Sequence, residues 1–196
     1  MSIQFQMNFQ FLDRTRLGIN RLWLILPLIY CAVASGAPAT KSPVFTDYGA
    51  VYHITDLNVP LKENFHYKVL FDISTGPESE GQLNKNIESV ARFINMHVMH
   101  GVKLENIDIA VVLHGEATKA GLTNKAYQQR YLEDNPSLDL IQKLHAKGVK
   151  FYQCGQSAYY QKVKTKDLSK EVRMALSAMT MLTELQSEGY RIIPWW

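Results

Sequence analysis

Three residues of the 196-residue chain pair reactive side chains with positions at which a β-sheet would hold them: Asp72, His114 and Cys154. The β-rich run 68–74 contains Asp72, the apolar run Ile107–Leu113 stops at His114-Gly115, and Val149–Cys154 ends on the thiol itself. A thiol beside an imidazole is the core of a nucleophilic cysteine, because the imidazole and nearby amides favour the thiolate, which is the reacting form. Backbone amides after Gly155 would stabilise that anion. Asp72, Gly115, Gly155 and Ser157 complete a candidate ligand pocket around the Cys154–His114 pair.

These positions matter because of the elements that carry them. Ile87, Val90, Ala91, Ile94 and Val98 recur at helical spacing and predict a helix of about four turns, capped by Asn84 and ending before Gly101. Helical stretches are expected over 124–133 and 137–147, separated by Asn135-Pro136, with Leu138, Ile141, Leu144 and His145 on one face of the second. Residues 156–166 read as a polar loop with a short helix, in which Lys162, Lys164 and Lys166 form a solvated face. A helix over 175–188 and a last short strand, Tyr190–Ile193, close the domain. The order β-α-β-α-β-α-β predicts an α/β fold, a single-domain three-layer sandwich with a mostly parallel open sheet. In such sheets ligands gather at the carboxyl ends of the strands, where all three residues lie. Strand order is needed to say whether they meet, and the sequence does not supply it.

Residues 1–34 read as a signal peptide. Leu22–Val33 is apolar, follows Arg14, Arg16 and Arg21, and leads into Ala32-Val33-Ala34. The run is shorter than the roughly 20 residues a membrane-spanning helix needs. An uncleaved anchor is the competing reading. Lipid attachment at Cys31 is disfavoured by the bulk of Tyr30. Export to the periplasm or the exterior, with no stable membrane anchor after cleavage, is therefore expected. Residues 35–66, with Pro38, Pro43 and Pro60, read as an irregular arm with a short strand near Val51–Ile54, and the main domain as 67–196.

Cleavage after Ala34 would remove Cys31 and leave Cys154 as the sole thiol, so no internal disulfide could form. A single thiol in an oxidising compartment is either buried and inert or kept for its chemistry, and both readings stand. The charge balance, 21 Lys+Arg against 18 Asp+Glu, would become 18 against 17. That excludes the basic excess of a nucleic-acid-binding domain. His97 and His100 with His114 do not make a metal set, since two sit at a helix end, one ends a strand, and no carboxylate cluster joins them. The usual phosphate, dinucleotide and hydrolase motifs are missing, so no cofactor is expected.

Val69-Leu-Phe-Asp-Ile73, Val111-Val-Leu-His-Gly115, Phe151-Tyr-Gln-Cys-Gly-Gln-Ser157 and the closing Leu185-Gln-Ser-Glu-Gly-Tyr190 resemble the DsrE/DsrF-like family of small α/β proteins, most closely its exported, largely uncharacterised branch. The resemblance covers about two thirds of the chain. It implies a DsrE/flavodoxin-like arrangement, a homotrimer or homohexamer, and a role in sulfur relay with Cys154 as the carrier of a persulfide. On this reading the chain is a sulfur carrier or a thiol-based sensor, working with a protein that donates or accepts sulfur. The alternative is a non-enzymatic oligomeric binding or scaffold module with a small-ligand pocket at the strand edge. The sequence leaves open whether the chain is an enzyme.

Overall fold

The computed structural model describes residues 42–194. The signal-like segment, Cys31, Trp195 and Trp196 lie outside the described residues, as does the start of the arm.

Five strands, β1 (Tyr67–Ile73), β2 (Ile107–Leu113), β3 (Lys150–Cys154), β4 (Val172–Ala175) and β5 (Arg191–Pro194), form one sheet in the order β4-β3-β2-β1-β5. Every pairing is parallel. Parallel neighbours require crossovers, and helices α1 (Lys85–Met99), α2 (Asn124–Tyr131), α3 (Leu138–Ala146), α4 (Gly155–Tyr160) and α5 (Ala178–Ser187) lie in them. As in flavodoxin-like sheets, β1 lies second from an edge; here the edge strand beside it is the last in the chain.

The two faces of the sheet are covered unequally. On one, Ile87, Val90, Ala91 and Ile94 of α1 and Leu140, Ile141 and Leu144 of α3 pack on Phe71, Ile73, Val111, Leu113 and Phe151. On the other, Ala178 and Leu185 of α5, with Tyr190, pack on Leu70, Ala110, Val112 and Cys154. β2 lies in mid-sheet, which is why Ile109–Leu113 is continuously apolar and buried. Asn84 caps α1 as the sequence predicts, its side chain accepting from the amides of Asn86 and Ile87.

Three expectations change. The helix expected over 175–188 starts later, at Ala178, and residues 172–175 are the edge strand β4, so the sheet has five strands rather than four. β4 is short and half-buried, and its order comes from pairing with β3, Phe151 beside Val172 and Cys154 beside Ala175, rather than from a pattern of its own. In the arm, residues 51–54 do not form a strand: Val51 makes an isolated bridge. On α3 the buried face is Leu140, Ile141 and Leu144, and His145 is exposed, its ring bonding the Val149 carbonyl oxygen at 3.2 Å.

A buried side chain, Asn95, anchors the start of the described arm. Asn95 Oδ1 accepts from the amides of Val44 and Phe45, at 3.3 and 3.0 Å. Its Nδ2 lies 3.1, 2.9 and 3.0 Å from the carbonyl oxygens of Phe45, Tyr48 and Gly49. Past this anchor the chain from 52 to 66 runs over the surface.

Candidate functional site

Strand register assembles the site. In a strand, side chains alternate between faces, so Leu70 and Asp72, Ala110, Val112 and His114, and Tyr152 and Cys154 all project to the α5 side. β1, β2 and β3 are consecutive neighbours, with Asp72 level with Val112 and Val112 level with Tyr152. Asp72, His114 and Cys154 therefore share one face of the carboxyl edge.

His114 Nε2 lies 2.8 Å from Asp72 Oδ1. A carboxylate only accepts, so Nε2 carries the proton. That hydrogen bond, with the charges of Asp72 and Cys154, raises the His114 pKa above its ordinary value against the opposing effect of burial. His97 and His100 are engaged elsewhere. His97 is buried between Tyr67 and Phe93, with ring centroids 4.5 and 4.0 Å away, and its pKa is lowered by burial. His100 caps α1 and contacts the arm, Nε2 lying 3.1 Å from the Ile54 amide nitrogen. Among the described residues no group of three or more His, Cys, Asp or Glu side chains is placed to hold a metal ion.

Cys154 is the last residue of β3 and the N-cap of α4. It is only 5% exposed. Burial alone would raise its pKa, yet the net shift is downward. The amide and hydroxyl of Ser157 and the amides of Ala178 and Gln156 favour the thiolate, and together they outweigh desolvation. Gln156 and Ser157 begin α4, and Ala178 begins α5, so the first turns of two helices converge on one sulfur. The Ser157 Oγ also accepts from the Gly115 amide at 3.0 Å, which leaves its own proton free for the sulfur.

Two glycines make this convergence possible. A side chain on Gly155 would place its Cβ 2.5 Å from the Ala175 carbonyl oxygen and 3.0 Å from that of Leu176. The close passage of α4 beside the end of β4 is what brings the start of α5 against Cys154. Gly115 has φ +51°, and a Cβ there would meet the Ser74 carbonyl oxygen at 3.0 Å. It turns the chain after His114, and Gln161 Nε2 secures the turn by donating to the Gly115 carbonyl oxygen at 2.7 Å.

The structure thus brings Asp72, His114, Gly115, Cys154, Gly155 and Ser157 to one strand edge. Sequence reasoning missed Ala178 and Gln161. Ser177 carried a usable signal: it caps α5, accepting from the Thr180 amide at 3.0 Å, and the residue after a cap has a free N–H. The assignment of 175–188 to one helix hid it.

Among solved structures, the fold is similar to a protein of unknown function from Methanobacterium thermoautotrophicum, MTH1491 (20% identity, TM-score 0.47, 65% of this chain and 97% of that one). It is also similar to the ychN protein from E. coli (16% identity, TM-score 0.49, 66% of this chain and 99% of that one). No curated protein matches the sequence. The sequence profile of the DsrE/DsrF-like family matches residues 68–195, from the second residue of β1 to beyond β5. With well over half of its length matched, the chain belongs to the DsrE/DsrF-like family.

Proposed function

We propose that this protein is an exported thiol protein that carries sulfane sulfur as a persulfide on Cys154, or senses it there. The observation that carries this reading is the placing of Cys154 at one strand edge with the Asp72–His114 pair and at the start of α4, where Ser157 and the amides of Ala178 and Gln156 lower the thiol pKa despite burial. Family membership supports a role of the sulfur-relay kind.

The chemistry needs no cofactor. The Cys154 thiolate attacks the terminal sulfur of an inorganic polysulfide; the new S–S bond forms as the adjacent one breaks, and a polysulfide dianion shorter by one sulfur leaves. The product is a Cys154 persulfide anion. Unloading is the reverse in kind: an acceptor thiolate takes the outer sulfur and Cys154 departs as thiolate. His114, held by Asp72 and with its pKa raised by that bond, adds positive charge near both anions when it is protonated. Cys154 is the sole free cysteine among the described residues, so the acceptor is another molecule.

The test is intact mass after exposure to inorganic polysulfide. The protein gains one sulfur atom, the gain is reversed by a reducing thiol, and Cys154→Ser does not gain it. Loading that persists in Cys154→Ser overturns the reading. Export rests on the signal-like segment 1–34 and is tested by sequencing the mature protein, expected to begin at Ser35. Among the described residues no helix is long and apolar enough to cross a membrane.

One observation favours a second reading, an oligomeric binding module: Tyr52, Ile54, Leu57, Val59 and Phe65 of the arm are all exposed, a surface suited to a second subunit. A homo-oligomer by sedimentation, with a thiol that alkylates only on unfolding, would select this alternative.

A further inference from the structure

Along α4, which starts directly after Cys154, lies a cleft of about 720 Å³ lined by Gln156, Tyr159, Tyr160, Lys162, Val163 and Lys164. Its walls combine two features, exposed aromatic area and unpaired positive charge. Tyr159 and Tyr160 are each 87% exposed, and adjacent tyrosines so far in water offer rigid apolar area with a hydrogen-bonding tip. Among the described residues Lys162 and Lys164 form no ion pair, and no carboxylate lines the cleft. The nearby acids are engaged: Asp167 accepts from the Lys164 amide at 2.9 Å and lies 3.9 Å from Arg130, and buried Glu171 accepts from the Ser169 hydroxyl. Lys166, Lys170 and Arg173 extend the positive field along the same stretch of chain.

From this charge imbalance we infer that the cleft docks an acidic, extended segment of a partner protein, whose own thiol exchanges sulfur with Cys154. Lys162 and Lys164 flank the buried Val163 and all three line the cleft, which therefore offers two positive charges to the carboxylates of a bound chain. Gln156 links the two sites: it lies two residues after Cys154, its amide favours the thiolate, and it lines the cleft. A concave, tyrosine-walled cleft suits a peptide chain better than a flat lipid surface. The inference rests on Cys154 as the sulfur-bearing residue for what the docked segment does, and its affinity is measured without that residue.

The experiment uses the full-length chain carrying Cys154→Ala and a fluorescein-labelled peptide of alternating glutamate and leucine, about ten residues long. Fluorescence anisotropy is expected to show saturable binding that weakens as salt is raised from about 0.05 M to about 0.5 M, where the Debye length falls. Lys162→Glu with Lys164→Glu weakens it by about tenfold or more, as removal of rim charges in a complementary interface does. Tyr160→Ser, at a fully solvated position, weakens it independently. Binding of the matched lysine–leucine peptide with equal affinity, or wild-type affinity in the double lysine variant, overturns the proposal. Binding to phosphatidylglycerol vesicles without binding to the acidic peptide also overturns it, in favour of a lipid surface. Polysulfide loading of the wild-type chain is read separately, so failure of docking and failure of the carrier reading are distinguished.

Discussion

His114 Nε2 donates to Asp72 Oδ1 at 2.8 Å, a bond between the ends of two neighbouring parallel strands. Because the His114 pKa is raised by this bond, the pair stabilises the fold fully below the ordinary imidazole value of about 6.5. The contribution is lost as pH rises through the raised value. Both side chains are just under one third exposed, so the effect is on the order of 1 kcal/mol. In Asp72→Asn the His114 titration, followed by NMR, moves to lower pH and the pH dependence of unfolding flattens over that window. An unchanged His114 titration would show that the carboxylate does not hold the imidazole.

Ser157 is expected to matter more to the thiol than its modest size suggests. Ser157→Ala removes one donor to the sulfur and leaves the Gly115 amide without its acceptor. The Cys154 pKa rises, and alkylation by iodoacetamide below pH 8 slows by about three- to tenfold, the consequence of losing one hydrogen bond to a charged group. Rates across a pH series, with the unfolded protein as reference, check this.

Gly155→Ala tests whether close passage of the chain is required. Its Cβ would sit 2.5 Å from a backbone oxygen, and backbone cannot rotate away as a side chain could. A loss of about 3 kcal/mol or more is expected, beyond the usual range of overpacking. Denaturant unfolding measures it; a loss under about 1 kcal/mol would mean that β4 and α4 separate easily.

Asn95 should report on the arm. Its amide serves two backbone donors and three backbone acceptors, all within 42–49. Asn95→Ala costs about 2–4 kcal/mol by leaving several buried groups unpaired. Asn95→Asp is worse, since it turns an oxygen toward three carbonyl oxygens. Hydrogen exchange at the Phe45 amide, protected in the wild type, becomes fast in both variants.

Much of this fold is written in local pattern, and the exceptions have a common cause. β2 could be read to the residue because Ile107–Leu113 is buried on both faces and needs no partner to explain its composition. β4 could not, because Val172-Arg-Met-Ala175 is a four-residue edge strand, too short to show an alternation of its own before the helix that follows. Its order comes from β3, a contact absent from local sequence. The same holds for the site. Cys154, His114 and Asp72 were visible as reactive types at strand ends, but their meeting depends on β1, β2 and β3 being neighbours in that order. The donors from α5 depend further on where Gly155 lets the chain pass. Long-range placement supplied what residue type could not.

The alternation that puts Asp72, His114 and Cys154 on one face also sets which changes of chain length the site survives. One residue inserted within β2 upstream of His114, with the pairing kept, sends the imidazole to the α1 side and leaves Asp72 facing a neighbour of the wrong parity. Two residues restore it. The connections that lead into each strand from the opposite edge carry no such arithmetic, so a library of insertions would show the thiol chemistry tolerating change there and only in even steps within the strands. Such a pattern would make this site a digital feature of an otherwise forgiving chain.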